Sequence, residues 1–180
     1  MNYSRRLVFV FLFSPFVAIC SGHSAPSIPN PLIDYAGHRE IVNKIEALRE
    51  GRRLSEADFL AKAREAGTVV LDARSGPMFK RLHLAGAVNL SLPDFTADEL
   101  ARIIPKKDTP VLIYCNNNFI GSPVAMGAKM PAASLNISTY VVLATYGYTN
   151  VYELGPLLHV KTTVLPLAGT EVAEMKEGKQ

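Results

Sequence analysis

Two short runs of this chain are apolar without the alternation of a half-buried strand, Val69-Val70-Leu71 and Val111-Leu112-Ile113-Tyr114, and Val151-Tyr152-Glu153-Leu154 reads as a last core strand. A strand of that kind needs cover on both faces, and a parallel sheet between two layers of helices supplies it. Segments of helical character separate the runs. Tyr35 to Glu50 carries Ile41, Ile45 and Leu48 at helical spacing and stops at Gly51. Ser55, followed by Glu56 and Asp58, caps a second helix that runs through Arg64 to the stop at Gly67. A helical turn is expected near Pro77-Met78-Phe79, a short strand at Ala87-Val88-Asn89-Leu90, and a helix over Asp94 to Ile104 with Thr96 as its cap. The chain past Cys115 reads as irregular through Pro123, Gly127 and Pro131, then as helix from Ala132 to Tyr146. A further extended piece is expected over Lys161 to Leu167, and a frayed end over Met175 to Gln180. Strands alternating with helices predict an α/β fold with a mainly parallel central sheet flanked by helices.

The beginning of the chain reads as an export signal. Arg5 and Arg6 precede the apolar stretch Leu7 to Cys20, which is broken at Pro15 and is shorter than the roughly 20 residues a bilayer span needs. Residues 1–22 are therefore expected to be cleaved, leaving no membrane span in a periplasmic or secreted protein. Val17-Ala18-Ile19-Cys20 resembles a lipoprotein box, but Ile19 is bulky where Gly, Ala or Ser belongs, so anchoring at Cys20 is the less favoured route. Residues 23–34, rich in Ser and Pro, form a leader; 35–168 make one domain with its core over about 55–160; 169–180 form a tail. Loss of Arg5 and Arg6 reduces the formal charge from +3 to +3 − 2 = +1, with no basic stripe, which disfavours a nucleic-acid partner.

Cys115 is the one cysteine expected in the mature chain. It ends an apolar strand and opens the polar loop Asn116-Asn117-Asn118-Phe119-Ile120-Gly121, at the sheet edge where α/β proteins place reactive groups. An unpaired thiol in an oxidising compartment points to chemistry, against the alternative of a small buried hydrophobe. His38 and His159 have no neighbouring partners in sequence for a metal, and one cysteine cannot supply zinc spacing; neither metal nor cofactor is expected.

Four motifs in order resemble the rhodanese-like domain, the fold of sulfurtransferases. Val70-Leu71-Asp72-Ala73-Arg74 looks like the family's strand ending in Asp-x-Arg. His83-Leu84-Ala85-Gly86-Ala87-Val88-Asn89 is similar to its Gly-His-Ile-Pro-Gly-Ala-Ile-Asn. Val111 to Cys115 looks like the strand leading to its active cysteine, and Tyr148 to Leu154 like its closing strand. The likeness covers about Ser55 to Val160 and implies a three-layer rhodanese-like fold of an exported bacterial type. The departures lie in the loop. The family follows its cysteine with Cys-x-x-Gly-x-Arg-Ser and a helix; here the Arg is absent, Gly121-Ser122 come a residue late, and Pro123 to Pro131 read as an insertion.

The resemblance implies a sulfurtransferase that carries sulfane sulfur as a persulfide on Cys115, between a small sulfur donor and a thiol acceptor, a protein thiol among the candidates. The rival is a catalytically silent binding or redox-sensing module of the same fold. Backbone N–H groups of Asn116 to Gly121 converging on Sγ would stabilise the anionic sulfur. The asparagines read equally as anion donors or as turn formers, and Phe119 with Ile120 as an apolar mouth or as core. Asp72 and Arg74 are expected to brace the loop as a charge pair, with substrate contact by Arg74 the minor alternative, and His83 to serve packing and hydrogen bonding. Cell-cycle phosphatases of this fold end a longer loop in Arg; Gly121 stands at that place here, which disfavours phosphoryl transfer and arsenate reduction.

Overall fold

The computed structural model describes residues 28–177. The expected export signal, with Cys20 and residues 23–27 of the leader, lies outside them. From Tyr35 the elements run α1 (Tyr35–Arg49), β1 (Arg53–Leu54), α2 (Glu56–Ala63), β2 (Val69–Asp72), α3 (Gly76–Arg81), β3 (His83–Leu84), β4 (Val88–Asn89) and α4 (Ala97–Ile103). They continue with β5 (Val111–Tyr114), β6 (Phe119–Ile120), α5 (Leu135–Thr145), β7 (Val151–Leu154), β8 (Leu158–His159), β9 (Leu167–Ala168) and α6 (Thr170–Glu177).

The central sheet has the order β1-β7-β5-β2-β4, and every pairing in it is parallel. Its middle strand β5 is buried at all four positions, as its unbroken apolar run requires. Side chains alternate across it. Val111 and Ile113 enter one core with Ile45 of α1, Leu100 of α4 and Leu143 of α5. Leu112 and Tyr114 enter a second core with Phe59 of α2, Leu82 and Leu84. Fully buried side chains close both cores, Leu100, Ile104 and Ile113 among them in the first and Leu82, Leu112 and Leu154 in the second, each contributing roughly 1.5–3 kcal/mol of transfer free energy. The result is a three-layer α/β domain.

The start of α2 follows the cap read from sequence, Ser55 Oγ accepting the N–H of Asp58 at 3.2 Å. The structure adds a cap for α1, where Asp34 Oδ1 accepts the N–H of Gly37 at 2.8 Å. The helix expected over Asp94 to Ile104 is shorter. Leu92–Asp94 form a separate 3-10 turn at Pro93, and Thr96 Oγ1 takes the N–H of Glu99, which fixes the start of α4 at Ala97. The helix expected from Ala132 likewise begins at Leu135, because Pro131–Ala133 form a 3-10 turn and Ser134 is extended.

Two further expectations are corrected. Residues Lys161 to Pro166 turn rather than extend: Thr162 and Thr163 N–H groups both donate to His159 O, and Thr163 Oγ1 donates to Glu56 Oε1 on α2. The end expected to fray from Met175 is helical as far as Glu177: α6 begins at Thr170, within the expected tail 169–180, and packs Val172 on the second core. No helix of the described residues is long and apolar enough to cross a membrane.

Candidate functional site

Cys115 follows Tyr114 in extended conformation, so its side chain leaves the sheet on the face of α1 and α5. The residue is 1 % exposed. Its Sγ lies 3.5 Å from Ser134 Oγ, at the N-terminus of α5, and accepts the N–H of Asn117 at 3.4 Å. Ser134 makes no side-chain cap bond to its own helix, so the hydroxyl serves the sulfur. The first turn of α5 therefore faces Cys115 in spite of the insertion, and its partial positive charge favours an anion there.

The loop departs from a cradle. Asn116–Asn118 form a 3-10 turn in which the Asn118 N–H bonds Cys115 O and the Phe119 N–H bonds Asn116 O. Of these amides, that of Asn117 is directed at Sγ. The chain then leaves as β6, which pairs with β8. The asparagine side chains hold neighbouring backbone. Asn116 Nδ2 donates to Gly127 O, and Asn117 exchanges bonds of 2.9 Å with both Lys129 O and Lys129 N–H, so these two clamp the inserted segment. Asn118 is a hub: its Oδ1 accepts from Cys115 N at 2.9 Å and Asn136 Nδ2 at 3.0 Å, while its Nδ2 donates to Leu154 O and Pro156 O.

Phe119 is buried, edge-on to Tyr114 with ring centroids 6.2 Å apart, whereas Ile120 is exposed. Gly121 has φ +93°, and a Cβ there would come within 2.6 Å of the His159 ring. Both the backbone and the imidazole demand glycine, so a side chain, cationic or other, has no room at this point.

Asp72 and Arg74 sit on the opposite face. Asp72 is the register partner of Tyr114 and accepts its hydroxyl proton at 2.5 Å. Arg74 Nη2 lies 2.6 Å from Asp72 Oδ2 and also donates to Leu82 O, while Nη1 donates to Ala125 O at 2.8 Å. The pair thus holds the inserted segment, with Arg74 only 5 % exposed. Burial opposes the Arg74 charge, but the hydrogen bond and charge of Asp72 outweigh it and raise the guanidinium pKa. Burial, reinforced by Asp72, pushes the Tyr114 phenol well above its usual value. His83 stacks on Phe79 with centroids 3.8 Å apart, and its Nδ1 is 2.7 Å from Phe79 O.

Cys115 opens instead onto a cavity of about 260 Å³ whose polar walls include Arg49, Arg53, Ser134, Asn136 and Glu153, beside Asn117 and Asn118 of the loop. Glu153 is the register partner of Ile113 on β5 and of Arg53 on β1, which puts it on the face of Cys115 two positions earlier. Its Oε1 is 2.8 Å from Arg49 Nε and 3.3 Å from Arg53 Nε. Burial raises the Glu153 pKa above the usual 4.5, with both arginines pulling the other way. Sequence reasoning missed these groups. The available signal was a carboxylate inside an otherwise apolar strand, which must find partners once buried. Among the described residues no group of three or more His, Cys, Asp or Glu forms a metal-binding cluster.

A parallel sheet ending in a buried cysteine between a short loop and a helix N-terminus defines a rhodanese-type α/β domain. The chain belongs to the rhodanese-like domain family, whose model matches residues 56–155. Among solved structures it is similar to a rhodanese from E. coli, with 23 % identity over 57 % of this chain and 98 % of that one and a TM-score of 0.39. A rhodanese-like domain from an Anabaena species shares 16 % identity over 68 % of this chain and 82 % of that one, with a TM-score of 0.49. A thiosulfate sulfurtransferase from Pseudomonas aeruginosa shares 25 % identity over 58 % of this chain and 17 % of that one, with a TM-score of 0.41. No curated protein matches the sequence.

Proposed function

We propose that this protein is a sulfurtransferase in which Cys115 takes a sulfane sulfur from a small donor, holds it as a persulfide and passes it to a thiol. The observation that carries the reading is the position of Sγ, between the Asn117 N–H and the start of α5 and open to a polar cavity. In the loading step the Cys115 thiolate attacks the outer sulfur of a donor such as thiosulfate. The new Sγ–S bond forms as the donor S–S bond breaks, and sulfite leaves with the electron pair. Two easier displacements replace one difficult transfer. Asn117 N–H and the helix terminus hold negative charge at the sulfur in both steps.

The protein is exported, with residues 1–22 as the signal and 35–168 as the domain, and it works in the periplasm or outside the cell. Intact mass after incubation with thiosulfate, and separately with polysulfide, tests the activity. A gain of one sulfur atom that needs Cys115 and is removed by cyanide is expected. No gain from either donor, in folded protein with a free thiol, leaves the second reading, a silent binding module. That reading is favoured by the burial of Cys115 and by the amides of Asn118 and Phe119 turned to carbonyls.

A further inference from the structure

The cavity at Cys115 holds more polar chemistry than a bare sulfur transfer uses. Arg49 comes from the last turn of α1 and Arg53 from β1, both ahead of the residues the family model matches. Their charges and that of Glu153 sum to +2 − 1 = +1 in the wall. Glu50, which pairs with Arg53 Nη1 at 3.3 Å, is exposed and lies outside the lining. On the facing side Asn136 is 5 % exposed and its amide orientation is fixed. Asn118 Nδ2 is committed to Leu154 O, so Asn118 Oδ1 must accept from Asn136 Nδ2. That leaves Asn136 Oδ1 buried without a hydrogen-bond partner, and a buried acceptor of this kind calls for a donor.

A simple oxyanion fits this wall poorly. It satisfies the arginines but brings its charge against Glu153 and offers no proton to Asn136. A molecule with an anionic end, an N–H end and a sulfur meets both arginines, Glu153, Asn136 Oδ1 and Cys115. The cavity, below the roughly 300–1,000 Å³ of drug-sized pockets, suits one of amino-acid size.

We propose that the cavity is the acceptor subsite and takes a small thiol acid bearing an N–H donor, of which cysteine is the simplest: carboxylate on Arg49 and Arg53, ammonium at Asn136 Oδ1 and Glu153, sulfur at Cys115. The inference rests on the persulfide reading above. The acceptor thiolate attacks the outer sulfur of the Cys115 persulfide and a new S–S bond forms. The Sγ–S bond breaks with its electron pair returning to Sγ; the acceptor thiol's proton has gone to water before the attack, and any proton on the outer sulfur leaves with it in the released persulfide.

The test mixes sulfur-loaded protein with cysteine, with cysteamine, which lacks the carboxylate, and with 3-mercaptopropionate, which lacks the amine. Loss of sulfur is followed by mass. Cysteine is expected to act at a KM at least about tenfold below either analogue, the worth of one hydrogen bond to a charged group. Arg49→Gln removes the preference over cysteamine and keeps that over 3-mercaptopropionate. Arg53→Gln carries the same expectation, so loss of fold in one variant leaves the other to decide. Equal KM for the three thiols overturns the subsite. Independently, S-methylcysteine, which cannot accept sulfur, is titrated calorimetrically into Cys115→Ser protein with and without Arg49→Gln. Binding that weakens at least about tenfold with the second change supports the subsite; absence of binding overturns it. If no donor loads Cys115, the persulfide reading falls and the calorimetric arm alone decides the subsite.

Discussion

Each face of the sheet carries a carboxylate–guanidinium group near the ends of the central strands, and the two are built to opposite ends. On the face of α2, Asp72 and Arg74 are closed: Tyr114, the Arg74 N–H, Leu82 O, Ala125 O and Met126 Sδ take up the hydrogen bonding that the pair leaves over, and both residues are buried. On the face of α5, Glu153 is buried but its arginines are about a third exposed, and an acceptor of Asn136 stays unpaired. A closed group fixes a fold; an open one beside a thiol leaves room for a ligand. Similar residue types therefore do structural work on one face and present a surface for chemistry on the other.

The largest effect that sharpens this contrast is expected from Asp72→Ala. It strands the buried Arg74 charge and should cost about 3–5 kcal/mol in urea unfolding, since one partner of a buried pair is left behind. A loss below about 1 kcal/mol, the range of an exposed pair, would erase the distinction between the faces. Gly121→Ala follows at about 1–3 kcal/mol, from the positive φ and the clash with His159. Adding His159→Ala should recover the steric share and keep the backbone share; no recovery would mean that His159 is not what confines the loop. Tyr114→Phe leaves the Leu84 N–H and one lone pair of Asp72 without a partner inside the closed group and should cost about 1–3 kcal/mol.

The smallest effect lies on the open face and shows in its pH dependence. Because the folded pKa of Glu153 is raised, the folded protein holds this proton more tightly than the unfolded chain does. Its contribution to stability is full below the ordinary value of 4.5 and is lost as pH rises through the folded value. Glu153→Gln should remove that decline, so the variant gains on the parent as pH rises from the acid range. Denaturant midpoints of the two proteins across that range check it, and parallel curves would place Glu153 among ordinary paired carboxylates.

The strand framework was legible because the apolar runs at Val69 and Val111 admit little besides a covered parallel sheet, and the caps at Ser55 and Thr96 set helix starts by local hydrogen bonds. Asp72 and Arg74 were legible as a pair from their strand end. The position of Ser134 beside Cys115 was not, since it depends on how the insertion between them folds back over Asn116 and Asn117. Arg49 and Arg53 were invisible for a similar reason: β1 is two residues long and reaches Glu153 only through sheet register across about a hundred positions. The amides of the loop were expected around Sγ as a group, but a 3-10 turn satisfies two of them internally at Cys115 O and Asn116 O, because each short Asn turn closes its own bonds first.

The hub made by Asn118 has a kinetic and entropic consequence. One side chain ties the backbone of Cys115 to β7, to the segment after it and to α5, so the order of the reactive residue is settled when the chain folds. Little freedom at the sulfur remains to be lost when a molecule arrives, which lowers the entropic cost of encounter but also narrows the approach. Geometry of attack is then selected by the incoming molecule: one that cannot place its own sulfur along the open side of Cys115 gains nothing from motion of the protein.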